Sequence, residues 1–343
     1  MSRSVKLIGF LILFAAGIAT WIVVGSGTGF DEKSRSFIVK EGQTDKSSVL
    51  VEMKKNEILS GEMLFSVLSS ATGVWDKIKP GKYEVKRSQS LWSIARMLKN
   101  GRLAQINLVI NKLRTKEDLA KLISKNFAPD SASVMQYLNS NDSLEKFGVD
   151  TSTVFTIIIP DTYTFYWNTG LNKIFRKLSD SKNAFWQKNN RLAKAENIQF
   201  SPEQAYILAS IVEEETNNDS DKLKIASVYI NRLNKSMPLQ ACPTIKYAMK
   251  DFTLTRIYEK YLFNPSPYNT YRRKGLPPGP ICTPSPRTID IVLNAPKTAY
   301  LFFVAKSDFS GYHHFSNTFS EHNQYAKEYQ KALDIYMANK KNK

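Results

Sequence analysis

The pattern of apolar and polar positions opens with an unbroken apolar run. Leu7 to Val24, LIGFLILFAAGIATWIVV, carries no charge over 18 residues and follows Arg3 and Lys6. Wound as a helix, that length is about the minimum that spans a hydrocarbon core roughly 30 Å thick. The alternative is a cleaved signal peptide. Its apolar region would be shorter and end in a small-x-small site, of which GSGTGF is a poor version. Residues 7–26 are therefore expected to be a retained transmembrane helix. Basic residues precede the span and Asp31 follows it, which places residues 1–6 in the cytoplasm and the rest of the chain outside the membrane.

After a glycine-containing exit at Gly25–Gly29, short strand and helix patterns alternate. SFIVK reads as a strand, Val49–Lys55 and Met63–Leu68 as helices, and KPGKYEV as a turn and strand. SLWSIARMLKNG is a helix capped by Ser90 and stopped by Gly101. Together they predict a small βααβ module at 36–104, either an α+β spacer, which periodicity favours, or a carbohydrate-binding module. Residues 105–200 add the strand INLVI, helices, and the apolar run VFTIIIPDTYTFYW, broken at Pro160 and Asp161. Its aromatics Tyr163, Phe165, Tyr166 and Trp167 suit core packing better than stacking on sugars. YLFFVA is expected to be a buried strand. The tail from Glu321 reads as a helix with a basic end at Lys340, Lys341 and Lys343.

The segment SPEQAYILASIVEEETNNDSD carries the most chemistry. Ser201, Pro202 at the first helical position and Gln204 three residues on form a capping box, and Asn217 or Asn218 suit the helix end. Ala205, Leu208, Ile211 and Val212 form an apolar stripe that Glu215 shares, while Glu214 points away and Glu213 sits at the edge. Burial, the helix C-terminus and the like charges of Glu213, Glu214, Asp219 and Asp221 all raise a carboxyl pKa. A carboxylic acid kept protonated near neutral pH can act as a general acid. A salt-bridged or solvated glutamate at a helix end remains the equal alternative on this segment alone. Downstream, IASVYINRLNKSMPLQ reads as a second helix and turn. Five prolines between Pro277 and Pro286 make a stiff, non-helical loop suited to a groove wall.

Composition narrows the partners. With 48 Lys+Arg against 31 Asp+Glu the formal charge is +17, which favours an anionic partner. A body outside the membrane turns that charge toward an extracytoplasmic polymer or the lipid surface and away from nucleic acid. Two cysteines and three histidines, His313, His314 and His322, are too few for a disulfide scaffold or a multi-histidine metal centre.

The series LASIVEEET, IASVYINRLNKSMPLQACPTIKYAM, SPYNTY, GLPPGPICTPS, NAPKTAYLFFVA and GYHHFSNTFSEHN resembles the YceG-like endolytic murein transglycosylases in order and spacing. The resemblance implies an α+β fold: an N-terminal transmembrane helix, a LysM-like βααβ subdomain at 36–104 and a larger mixed α+β catalytic domain at 105–338, with its motif core at 201–330. It also implies cleavage of MurNAc–GlcNAc bonds in nascent peptidoglycan strands to give 1,6-anhydroMurNAc ends, terminating strand elongation. No cofactor or metal is required. Glu215 matches the second glutamate of the family's E-x-E and is the expected catalytic acid. Asn231, Gln240, Tyr268, Asn269 and Tyr271 are the candidate glycan-binding residues. His313 matches a family position and suits either a group near the substrate or a structural role. The partners implied are peptidoglycan glycan strands, the inner (cytoplasmic) membrane as a single-pass anchor site, and peptidoglycan synthases. The family pattern L-Q-x-D-P-T reads LQACPT here, with Cys242 for the aspartate. The segments TIII before Pro160 and INKLRT around Lys112 also depart from the pattern, and we read these two as drift at non-catalytic positions. Cys242 and Cys282 are free to pair in an oxidising compartment, although nothing in the sequence sets their separation. The competing readings are a non-catalytic, membrane-anchored wall-binding or scaffold protein and, more weakly, a metal-dependent wall amidase.

Overall fold

The computed structural model describes residues 3–254 and 256–341. Met1 and Ser2 of the expected cytoplasmic segment and Lys343 of the basic tail lie outside the described residues. So do the side chains of Arg3, Lys340 and Lys341. The protein is a mixed α+β chain with an apolar N-terminal helix, α1 (Arg3–Val24), of which Val5–Val24 is long and apolar enough to cross a membrane. The chain divides into two compact units. One runs to Leu108 and takes in Asn126–Ala128 and Thr164–Gly170, and the other comprises Val109–Lys125, Pro129–Tyr163 and Leu171 onward.

The first unit follows α1 with β1 (Ser34–Val39), α2 (Lys46–Lys55), α3 (Glu62–Ala71), β2 (Gly81–Lys86) and α4 (Leu91–Lys99). β1 and β2 are antiparallel, with Phe37 opposite Tyr83 and Arg35 opposite Val85. Alternation along β2 sends Tyr83 and Val85 inward, where they meet Phe37, Val39, Met53, Phe65, Leu91, Ile94 and Leu98 in one apolar core. Ser90 caps α4 by accepting a hydrogen bond from the Ser93 amide, and Gly101 takes the left-handed conformation (φ +59°) that follows the helix end. β3 (Gln105–Val109) pairs with β4 (Thr162–Tyr166). Tyr163 and Phe165 are buried and Tyr166 is exposed, so the aromatic run mostly packs inward.

The second unit contains α5 (Lys116–Asn126), α6 (Ser131–Leu138), α7 (Asn141–Leu144), α8 (Leu171–Gln187), α9 (Arg191–Asn197), α10 (Pro202–Glu215), α11 (Asp219–Asn234), α12 (Cys242–Met249) and α13 (Pro286–Leu293). It ends with β5 (Phe302–Ala305), β6 (His313–Ser316) and α14 (Phe319–Lys341). α10 begins at the expected capping box: the Gln204 amide donates to Ser201 Oγ at 3.1 Å and the Ser201 amide donates back to Gln204 Oε1 at 2.9 Å. Its interior differs from the expected stripe. Every residue from Ala205 to Val212 is buried, because α9, α11, α12 and α13 pack around the helix and leave no solvent face. The small residues Ala205, Ala209 and Ser210 allow that close approach. Asn218 does not end α10. It caps the start of α11, its Oδ1 accepting from the Ser220 and Asp221 amides. β5 is half-exposed rather than buried, since among the described residues it pairs only with β6, Phe303 opposite Phe315.

Candidate active site

The last turn of α10 carries three carboxylates into three different environments. Glu213 takes a hydrogen bond from the Thr288 hydroxyl, another from Ser285 Oγ at 3.2 Å, and an ion pair with Lys222 at 3.1 Å. Burial pushes its carboxyl up, but Thr288, Lys222 and Lys112 outweigh that and leave it below the ordinary carboxylate value. Glu214 does not point into solvent as its helix position suggests. It is held by Lys112 at 3.1 Å and Arg114 at 3.0 Å, and Arg114 also lies over the Phe252 ring. The segment around Lys112, set aside above as drift, therefore neutralises this helix end.

Glu215 alone is given no cation within ion-pair distance among the described residues. Its Oε1 accepts a hydrogen bond from the hydroxyl of Tyr229, a residue of α11 that is only 1% exposed. Part of Glu215 stays open to solvent, yet the protein packs closely around its carboxyl. Burial raises its pKa to about 7, with Glu214 adding to the rise while the Tyr229 hydroxyl and Lys246 pull the other way. Of the four acidic neighbours expected to act on it, Glu214 contributes visibly. Asp219 pairs with Arg287, and Asp221 accepts from both the backbone amide and Nδ1 of His313 at 2.8 Å. His313 thereby ties β6 to α11.

Around this acid stand Tyr229, Lys246, Cys242 and Tyr271. Cys242 Sγ lies 3.2 Å from the Tyr271 hydroxyl, and burial pushes its thiol pKa up, so it remains neutral. Cys242 and Cys282 are both free thiols, and Cys282 is turned to the Ser210 carbonyl of α10 at 3.4 Å. The proline-rich loop is fastened to the same helix. The Ile281 amide donates to Ser210 Oγ at 3.0 Å, and the Thr283 amide and hydroxyl donate to the carbonyls of Leu113 and Asn111. Only glycine fits at 279, where a Cβ would lie 2.0 Å from the Ser152 carbonyl oxygen. Among the described residues no group of three or more His, Cys, Asp or Glu side chains converges as a metal-ligand set.

The candidate glycan-binding residues separate into two groups. Tyr271 lies beside Glu215, and Tyr268 lines a cavity with Tyr247, their rings 4.7 Å apart. Gln240 is exposed, and its Oε1 accepts from Arg232 at 3.2 Å. The amides of Asn231 and Asn269 are consumed internally. Asn231 donates to the carbonyls of Thr298 and Tyr300, and it sits about 200° around α11 from Tyr229. Asn269, fully buried, donates to Leu262 and Asn264 and accepts from the Tyr271 amide, which shapes the loop. Tyr229 was not among the sequence candidates. Its signal was an aromatic on the helix following the glutamates, within IASVYINRLN, indistinguishable there from core packing.

The Tyr229 hydroxyl stabilises the ionised carboxylate, so Tyr229→Phe should move the alkaline limb of the pH–activity profile to higher pH and lower the rate at its optimum by about tenfold. A limb that stays where it is in the wild type would remove Tyr229 from any role in setting the acid.

A model of the YceG-like family matches residues 37–328. The chain belongs to the YceG-like family. It is 30% identical over 304 residues to a Bacillus subtilis protein named endolytic murein transglycosylase, covering 82% of this chain and 81% of that one. A Streptococcus pneumoniae protein of the same name is 24% identical over 336 residues, covering 86% of this chain but 59% of the relative, so this chain spans well under two thirds of that protein's length. The fold is similar to the crystal structure of a yceG-like protein from Listeria monocytogenes, with a TM-score of 0.55 at 24% identity, covering 86% of this chain and 99% of that one.

Proposed function

We propose that this YceG-like protein is an endolytic lytic transglycosylase of peptidoglycan, with Glu215 as its single acid and base. The observation that carries the reading is a carboxyl at the end of a helix with a buried interior, its pKa raised to about 7, while the two glutamates before it are paired with cations. The protonated Glu215 donates to the oxygen linking MurNAc C1 to the next GlcNAc, and the C1–O bond breaks. The sugar's own C6 hydroxyl closes onto C1, and its proton passes to the carboxylate just formed. Glu215 returns to its starting state, no water is consumed, and a 1,6-anhydro end remains. Hydrolytic glycosidases need a second carboxylate for nucleophile or base. Here the neighbouring acids are committed to Lys112, Arg114 and Lys222, which fits chemistry by one group.

The apolar α1 suits a single-pass anchor in the cytoplasmic membrane, with Lys6 on the cytoplasmic side and the body outside. The βααβ order of the first unit agrees with a LysM-like module that holds the enzyme to glycan, and synthases of nascent strands are the natural neighbours of such an anchored cutter. Mass spectrometry of peptidoglycan strands digested with the purified protein tests the reading. New 1,6-anhydroMurNAc ends generated within strands are expected. New reducing ends would instead indicate a hydrolase, and strand binding without any new ends would indicate a scaffold.

A further inference from the structure

A cavity of about 520 Å³ in the second unit lies apart from the acid itself. It is formed by the start of α5, the segment from Met135 to Ser152, α12 and the loop bearing Tyr268. Its volume is in the range of sites for small ligands. Part of its lining is aromatic: Tyr247 packs on Tyr268, and Phe252 lies 6.4 Å from Tyr247. Met135 and Ala248 add apolar surface, and the polar lining includes Lys116, Glu117, Asn139 and Ser152.

Lys116 is the group that calls for a ligand. Its ammonium donates to Asn139 Oδ1 at 2.9 Å, and among the described residues no carboxylate lies within ion-pair distance. Burial lowers its pKa, against the opposite pull of Glu117 and Asp150. A cation partly shielded from water without a paired counter-ion carries a cost, and an anionic group entering the cavity would relieve it. Lys250 at the rim differs, being exposed and 3.9 Å from the exposed Glu117.

We propose that this cavity takes the carboxylate-bearing peptide stem on the muramic acid beside the cleaved bond, with Lys116 as counter-ion and Tyr247 and Tyr268 against the stem's apolar body. The protein thereby selects stem-bearing strands over stripped ones. The inference rests on the transglycosylase reading and adds a specificity determinant to it. While the stem is attached, the lactyl carboxyl of the muramic acid is tied up in an amide and the stem supplies the free carboxylates; an amidase exchanges these for one short lactyl carboxylate on the sugar itself. The placement agrees: α12 presents Cys242 toward Glu215 and Tyr247 to the cavity, five residues and about 7.5 Å apart along the axis. A phosphate suits the cavity less well, because the lining holds no guanidinium fork.

The test compares kcat/KM on stem-bearing strands with kcat/KM on strands stripped by an amidase. The wild type is expected to favour stem-bearing strands by about tenfold or more. Lys116→Met should bring that ratio close to one, and Lys116→Arg should restore part of it. An unchanged ratio, or an equal loss on both substrates, overturns the proposal. A loss confined to strands ending in a lipid pyrophosphate also overturns it and assigns the cavity to phosphate. If no strand yields new ends, the transglycosylase reading fails by itself. Fluorescence anisotropy with labelled N-acetylmuramoyl-L-alanyl-D-isoglutamine then decides the cavity: binding weakened about tenfold in Lys116→Met supports it, and equal binding overturns it.

Discussion

Glu215→Gln is expected to lower strand cleavage by about 10³-fold while leaving the fold intact. Positioned proton transfer contributes roughly 10²–10⁴-fold, and here one group serves both steps, so the loss should lie well inside that range. The amide keeps the size of the carboxyl and can still accept from the Tyr229 hydroxyl. The wild-type profile supplies the companion result. With a pKa raised to about 7, Glu215 is protonated through the mildly acidic range, and activity should fall tenfold per pH unit above about 7. Stability follows the same titration. Below about pH 4.5 the group is protonated in both folded and unfolded chains and makes no difference. Between there and about pH 7 the unfolded chain ionises first, so folding loses on the order of 3 kcal/mol, and above that the loss levels off. Glu215→Gln removes this decline and should unfold at a higher temperature than the wild type at pH 8. Full activity in the variant would end the assignment.

Lys222→Met should destabilise the second unit by about 3 kcal/mol, which lowers its melting temperature by roughly 6–12 °C. Lys222 and Glu213 have side chains only 7% and 11% exposed, and Lys222 also donates to Thr288 Oγ1 at 2.8 Å. Removing the ammonium leaves Glu213 enclosed, with Lys112 at 3.8 Å as its remaining cation among the described residues. Breaking one side of such a pair costs far more than replacing both, so Lys222→Met with Glu213→Gln should recover more than half of the loss. The sign of the pH dependence is opposite to that of Glu215. Glu213 has a lowered pKa in the folded chain, so its contribution is present above about pH 4.5 and is lost as pH falls through its folded value. Acid sensitivity from this source should shrink in the single variant. Thermal unfolding between pH 4 and pH 8 reads both effects, and equal melting curves for wild type and Lys222→Met would contradict the pair's importance.

Local signals in the chain were legible where local chemistry decides the outcome. The box at Ser201 and Gln204, the cap at Ser90 and the turn at Gly101 are settled by side chains within three or four residues of the backbone groups they satisfy. Glu215 stood out by its place on α10 relative to Leu208 and Val212, and the buried carboxyl agrees with that argument. What surrounds α10 was not legible, because a stripe and a fully enclosed helix share the same buried positions and differ only in what covers the remaining face. The counter-ions of Glu214 lie about 100 residues earlier in the chain, and no spacing rule links them. Asn231 and Asn269 illustrate the converse. An amide suited to a sugar hydroxyl is equally suited to a backbone carbonyl, and only the folded chain shows which one it meets.

The fastening of the proline-rich loop and the Lys112 segment onto α10 makes the surroundings of Glu215 a product of complete folding. Ile281 and Lys112 both lie far from α10 in the chain, yet the Ile281 amide meets Ser210 and the Lys112 ammonium meets Glu214. On the role proposed for Glu215, a nascent, clipped or half-assembled chain would carry an ordinary glutamate at this position and would not cut the polymer around it. The cutting edge is sharpened last.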